Sequence, residues 1–184
     1  FYDWTHSNAI WFDLQENSIY LSVRHLSRIT KIDYESGGIV WNMGKDTPSG
    51  EVAFGHNLDF SWQHSIKMLE NQNLMLFDNG NENDPPLSRG MEILLMFNDS
   101  IPSAEIIWEY VLPNDLGSSF QSDCDRLSNG NSLITATDSD YLVEVTPEGE
   151  IVWEIQPWQG ISTYRACRVP GLYPLVYSVT QPDF

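Results

Sequence analysis

The stretch GEIVWEI at residues 149–155 has two earlier counterparts, AEIIWEY at 104–110 and GGIVWNM at 37–43. Superposing the three makes Trp41, Trp108 and Trp153 equivalent, at spacings of 67 and 45 residues. Self-similarity at such a period marks a repeat architecture, in which one supersecondary unit is copied along the chain.

Working upstream from each tryptophan, the same order of elements returns. The third copy reads DCDRL, the turn SNGN, SLITAT, YLVEVT, the turn PEG, then EIVWEI. The first offers HSNAIWF, the turn LQEN, SIYLSV, RITKID, the turn ESGG, then IVWNM. The second runs QHSIKML, ENQN, LMLFDNG, an acidic loop, MEILLMFN and AEIIWEY. Short segments with period-two alternation, separated by Asn, Gly and Pro turns, predict strands throughout, and no stretch carries a helical period.

A copied unit of four short strands predicts an all-β fold of four-stranded antiparallel β-propeller blades. The units fall at about 1–44, 45–110 and 111–155, with a partial fourth at 156–184, so the 184 residues form a single propeller domain or a fragment of one. Three and a half blades barely make a ring, since propellers close with roughly four to eight. Missing N-terminal blades, or assembly of more than one copy, would complete it.

Composition narrows the partners. The formal charge is −17, so nucleic acid meets a repulsive field and is excluded as a partner. No apolar run approaches the roughly 18 residues of a membrane helix, and no leader-like segment opens the chain. Two cysteines lack the paired spacing of a zinc site, and no motif calls for a metal or other cofactor.

The opening strand of a blade usually lines the central channel. Setting Ile10, Ile66 and Asp125 in register makes Asn8, His64 and Asp123 equivalent, with His6, Trp62 and Gln121 two residues earlier. Positions two apart share a strand face, so His6, Asn8 and His64 point toward one channel. Arg24 on an adjacent strand adds a guanidinium. Two imidazoles and a guanidinium suit a tetrahedral oxyanion: the arginine fork holds its oxygens, a neutral imidazole attacks the central atom, and a second protonates the leaving oxygen. Each histidine equally suits a structural hydrogen bond to a nearby carbonyl.

At these residues the sequence resembles the arylsulfate sulfotransferase family, which uses no nucleotide sulfate donor. The matching segments are DWTHSNAIWFD at 3–13, SVRHLSRITKID at 22–33, GGIVWNMG at 37–44, FSWQHSIKMLENQNLMLFDNG at 60–80 and TYRACRVPGLYP at 163–174. The resemblance implies a six-bladed propeller, located in the periplasm or outside the cell. It implies transfer of a sulfuryl group from an aryl sulfate to a phenol through a sulfated histidine, with no cofactor. Carried over by position, His64 is the nucleophile, His6 and Asn8 contact the sulfate or the leaving oxygen, and Arg24 holds the sulfate. The family also uses a histidine from an earlier blade, which would have to precede Phe1. A non-catalytic binding propeller is the alternative, and a hydrolase using the same site is a third.

Other residues have plainer readings. His25 has the opposite strand parity to Arg24 and serves it as a structural partner; His56 belongs to a surface loop. Arg89 approaches the channel or, more simply, offsets Asp84. The acidic loop DNGNENDPP at 78–86 lacks the ligand spacing of a calcium hand and reads as a solvated turn. Cys124 and Cys167 are equivalent in neighbouring units, so either a disulfide or two buried free thiols fit. The repeated tryptophans are blade core. Asn98-Asp99-Ser100 is a glycosylation sequon of the kind that arises by chance.

Overall fold

The structure is a computed structural model that describes residues 2–97, 102–156 and 162–169. Among the described residues, twelve strands form three separate four-stranded antiparallel sheets, each built from consecutive strands in the order of the chain. The first sheet holds β1 (Ser7–Asp13), β2 (Ser18–Val23), β3 (Arg28–Asp33) and β4 (Ile39–Gly44). The second holds β5 (His64–Met68), β6 (Leu74–Asp78), β7 (Arg89–Met96) and β8 (Ser103–Val111). The third holds β9 (Asp123–Arg126), β10 (Ser132–Ala136), β11 (Tyr141–Val145) and β12 (Ile151–Ile155). Three single-turn 3-10 segments, at Arg24–Leu26, His56–Leu58 and Asn114–Leu116, are the helical content of the described residues. The sequon and residues 170–174 of the partial fourth unit lie outside the described residues, and 162–169 contain no strand.

The sheets stack face to face, and one strand shows why. All five residues of β6, LMLFD, are buried. Side chains alternate across a strand, so Leu74 and Leu76 enter one core with Tyr20, Ile29, Trp41 and Met43 of the first sheet, while Met75 and Phe77 enter a second with Cys124, Ile134 and Val143 of the third. A strand buried on both faces has no polar side, hence the continuous apolar run. Each fully buried Leu, Met or Phe here contributes roughly 1.5–3 kcal/mol. Gly90 answers the same tight packing: a Cβ there would lie 2.6 Å from Cys124 Sγ and 3.2 Å from Ile134 Cδ1.

The tryptophan motif has a shared geometry. Trp41 pairs with Lys31, Trp108 with Glu92 and Trp153 with Glu144, and in every sheet the register shifts immediately after that pair. The unpaired residues are Val40, Ile107 and Val152, each about half exposed at 54%, 48% and 53%. A β-bulge of this kind places two residues opposite one and tightens the local twist. In two of the three units the turn between the first two strands also reaches the charged residue: Asn71 and Asn73 donate to Glu92, and Asn129 and Asn131 to Glu144. The first unit uses reversed charge, pairing Lys31 with Glu16.

The tryptophans are not uniformly core. Trp41 is buried against Tyr20 and Phe54, Trp108 is half-buried under the Arg126 guanidinium, and Trp153 is 42% exposed. Phe54 and Phe97 of the following unit add to the cover over Trp41, and Arg126 of the following sheet covers Trp108; the third sheet has no successor among the described residues. The cysteines also differ from expectation. Both are free thiols; Cys124 is buried, with burial pushing its pKa up, whereas Cys167 is exposed. No helix is long and apolar enough to cross a membrane among the described residues.

Candidate active site at the opening strands

The first strands of the three sheets are neighbours, β1 packing on β5 and β5 on β9. The residue two positions before Asn8, His64 and Asp123 is left-handed in all three sheets: His6 has φ 52°, Trp62 57° and Gln121 52°. None is glycine, so each accepts a backbone shape that few side chains adopt. That shared twist delivers the following residues to the junction between blades.

Trp62, Gln63 and His64 divide the work at that junction. Gln63 is fully buried; its Nε2 donates to Ser22 Oγ at 2.9 Å and to the Arg28 carbonyl at 3.0 Å, and its own carbonyl accepts Asn8 Nδ2 at 2.7 Å. It fastens the second sheet to the first. Trp62 turns its ring under Arg24, whose guanidinium carbon lies 4.1 Å from the ring centroid. His64 faces inward and is 2% exposed.

The tautomer of His64 follows from its partners. Nδ1 lies 2.7 Å from Asn79 Oδ1 and 3.1 Å from the Trp62 carbonyl. Asn79 spends its amide hydrogens on the Ser118 and Gln121 carbonyls, so its oxygen faces the ring. Two acceptors at Nδ1 require the proton to be there. The lone pair is therefore on Nε2, where it accepts the Gln121 N–H at 3.2 Å. Burial, with Arg24 and His6 adding positive charge against the Asn79 and Trp62 hydrogen bonds, lowers the pKa of His64 to about 4. The ring is neutral, with a lone pair on one defined nitrogen.

Arg24 does not lie on a strand. It opens the 3-10 turn that follows β2, so strand parity does not govern it or His25. Its Nη1 bonds His25 Nε2 at 2.7 Å and its Nη2 donates to the Ser119 carbonyl at 3.0 Å. Nε of Arg24 and Oδ1 of Asn8 are buried and have no hydrogen-bond partner among the described residues. An orphaned buried donor costs about 1–3 kcal/mol, so a ligand that satisfies Arg24 Nε is favoured by that amount. The Arg24 amide donates to the His6 carbonyl at 2.9 Å, tying the two segments together.

His6 stands 5.0 Å from the His25 ring, centroid to centroid, and its Nδ1 bonds the Asp3 carboxylate. That partnership holds the Asp3 pKa below the usual range. Asp3 and Asn79 are the residues that sequence reasoning passed over, and Trp62 was placed in register with His6 without its stack on Arg24. Asp3 and Asn79 lie within the DWTHSN and FDNG segments, and a polar residue beside a histidine motif was the available signal.

Three other residues that the sequence singles out lie away from this junction. Arg89 pairs with the buried Asp78 carboxylate, with Glu109 and with the Leu58 carbonyl, not with Asp84. Asp78 also accepts the amides of Ser61 and Gly80, so the first residue of the acidic loop is an internal brace. His56 is exposed, 3.7 Å from Asp46. Among the described residues, Asp3, His6 and His25 are the one group of three or more metal-capable side chains, within 4.8 Å of one another.

Stacked four-stranded sheets meeting at their first strands define a β-propeller architecture. The chain belongs to the arylsulfotransferase (ASST) family, whose profile matches residues 2–136. A search of curated proteins finds no match. Two similar solved structures are a protein of unknown function from Bacteroides caccae and a catalytically inactive virginiamycin B lyase from Staphylococcus aureus with quinupristin. The first has TM-score 0.52 and 13% identity over 84% of this chain and 47% of its own. The second has TM-score 0.52 and 16% identity over 86% of this chain and 44% of its own. These likenesses concern the fold alone. The chain spans less than half the length of either structure.

Proposed function

We propose that this chain carries the sulfuryl-transfer site of an arylsulfotransferase, moving a sulfuryl group from an aryl sulfate to a phenol through a sulfated His64. The observation that carries the reading is the fixed tautomer of a neutral, buried imidazole. In the first half-reaction the Nε2 lone pair attacks sulfur, the S–O bond to the aryl group breaks, and its electron pair leaves on the phenolate oxygen. His6 donates the proton to that oxygen. The ring now carries a sulfuryl group on Nε2 and a proton on Nδ1, and its positive charge is met by the Asn79 and Trp62 oxygens.

In the second half, the acceptor phenol passes its proton to His6 while its oxygen attacks sulfur. The S–N bond breaks and the electron pair returns to Nε2. Arg24 supplies planar donors to the sulfuryl oxygens, with Nε unspent, and Asn8 lines the same junction. The Gln121 N–H on Nε2 is long at 3.2 Å and is the contact that attack must displace. A covalent intermediate divides one difficult displacement into two, with ping-pong kinetics as the consequence. A periplasmic or extracellular location belongs to the same reading.

Intact-mass measurement after incubation with an aryl sulfate tests it. The expected product is an acid-labile adduct of one sulfuryl group, discharged by phenol and absent in His64→Gln that retains the wild-type circular dichroism spectrum. Persistence of the adduct in His64→Gln excludes His64 as the acceptor. Release of free sulfate without phenol identifies a hydrolase instead.

A further inference from the structure

We propose that Asp3, His6 and His25 form a binding site for a divalent transition-metal ion of the zinc class, and that binding there competes with the hold of His25 on Arg24. The three side chains each offer one ligand atom, all within 4.8 Å of one another. Ligands on a tetrahedral zinc ion stand about 3.3 Å apart, from bond lengths near 2.0–2.1 Å, so small side-chain rotations close the set. Two imidazoles and a carboxylate select borderline ions such as zinc, cobalt or nickel over calcium and magnesium, which take oxygen. A chain of net charge −17 attracts cations to its surface.

The second shell explains how the site is coupled. His25 Nδ1 bonds the Asp3 carbonyl at 2.6 Å, and its Nε2 faces Arg24 Nη1 at 2.7 Å. Guanidinium donates only, so Nδ1 carries the ring proton and the lone pair a metal needs is the one pointed at Arg24. Both ring nitrogens are engaged, and the partner an incoming cation repels is the cationic one. Arg24 therefore gives up His25 when the ion binds, retaining its stack on Trp62 and its bond to Ser119. The remaining His6 nitrogen, Nε2, stays free of the ion when Nδ1 ligates alongside Asp3.

This inference stands apart from sulfuryl transfer, because binding is measured with no sulfate ester present. Full-length chain in a Cys167→Ser background, which removes an exposed competing thiol, is stripped with chelator and titrated with zinc chloride by calorimetry. One ion per chain is expected, with affinity at least about tenfold weaker in Asp3→Asn and in His25→Ala. His56→Ala, which removes the separate His56–Asp46 pair, leaves the affinity unchanged. Arg24→Gln binds more tightly, by roughly threefold or more, because the repelled neighbour is gone. Cobalt(II) in place of zinc gives visible d–d bands of a nitrogen-ligated site in the unsubstituted protein, a readout that needs no variant. Equal affinity in Asp3→Asn and His25→Ala, weaker binding in Arg24→Gln, or no cobalt bands overturns the proposal.

Discussion

Asn79 Oδ1 accepts the Nδ1 proton of His64 at 2.7 Å, and through its amide the same residue holds the Ser118 and Gln121 carbonyls. One side chain thus sets both the tautomer of the ring and the position of the segment that covers it. Replacing it with alanine leaves a buried N–H with one acceptor, removes the Asn79 donor from the Gln121 carbonyl, and leaves the Ser118 carbonyl with Ser88 Oγ alone. Asn79→Ala is expected to lower kcat by about a hundredfold, as misplacement of a reacting group does. The loss of stability is about 1–3 kcal/mol, read by urea denaturation. A larger loss of stability with kcat intact would assign Asn79 to folding alone.

The pH dependence of stability follows from His64. Its folded pKa of about 4 lies below the unfolded value near 6.5, so the unfolded chain binds the extra proton between those limits. Stability contributed by the neutral ring is present above pH 6.5 and is lost as pH falls through 6.5 toward 4, by up to about 3 kcal/mol. Thermal melts of wild type and His64→Gln across that window check the sign: the wild type loses more. The acid limb of the transfer rate should likewise fall near pH 4 rather than 6.5, since a protonated ring has no lone pair.

Arg24→Lys keeps the charge and discards the planar fork, the stack on Trp62 and the unspent Nε. KM for an aryl sulfate is expected to rise about tenfold, with a smaller change in kcat. Trp62→Leu should reproduce part of the effect by freeing the guanidinium. Steady-state kinetics on both variants separate a positioning role for Trp62 from a folding defect, which would lower the active fraction and leave KM alone.

Gly90 and Cys124 should couple. A Cβ at Gly90 meets Cys124 Sγ at 2.6 Å, so Gly90→Ala is expected to destabilise by about 1–3 kcal/mol through overpacking between sheets. Cys124→Ala carries its own cavity cost, but the double variant should be less destabilised than the sum. A double-mutant cycle read by denaturant midpoint measures the difference; strict additivity would mean the sheets separate elsewhere to make room.

Much of this architecture is written in local pattern. The IVW, IIW and IVW triplets mark the same bulge in three sheets, and the LMLF run announces a strand buried on both sides. Counting back from the opening strands brings His6, Trp62 and Gln121 to one position, and the three share a left-handed backbone. Other features depend on contacts that the local sequence cannot encode. Arg24 follows an alternating strand with no break, yet the chain turns there because the Arg24 and His25 amides bond the His6 and Thr5 carbonyls. Asp78 opens a run of acidic and amide residues that looks solvated, and it is the contacts from Arg89 and the Ser61 amide, both remote in sequence, that make it a buried brace. Trp153 matches Trp41 in sequence and differs in exposure because Phe54 and Phe97 pack against the ring of Trp41, contacts made by residues remote from the motif.

The left-handed position ahead of each opening strand has a consequence for how such a site diversifies. A histidine, a tryptophan and a glutamine occupy it with φ between 52° and 57°. The backbone there works as a socket of fixed shape that accepts side chains of unrelated chemistry. Blades can therefore trade an imidazole for an aromatic ring or an amide by a single codon change, leaving the strands behind the socket untouched.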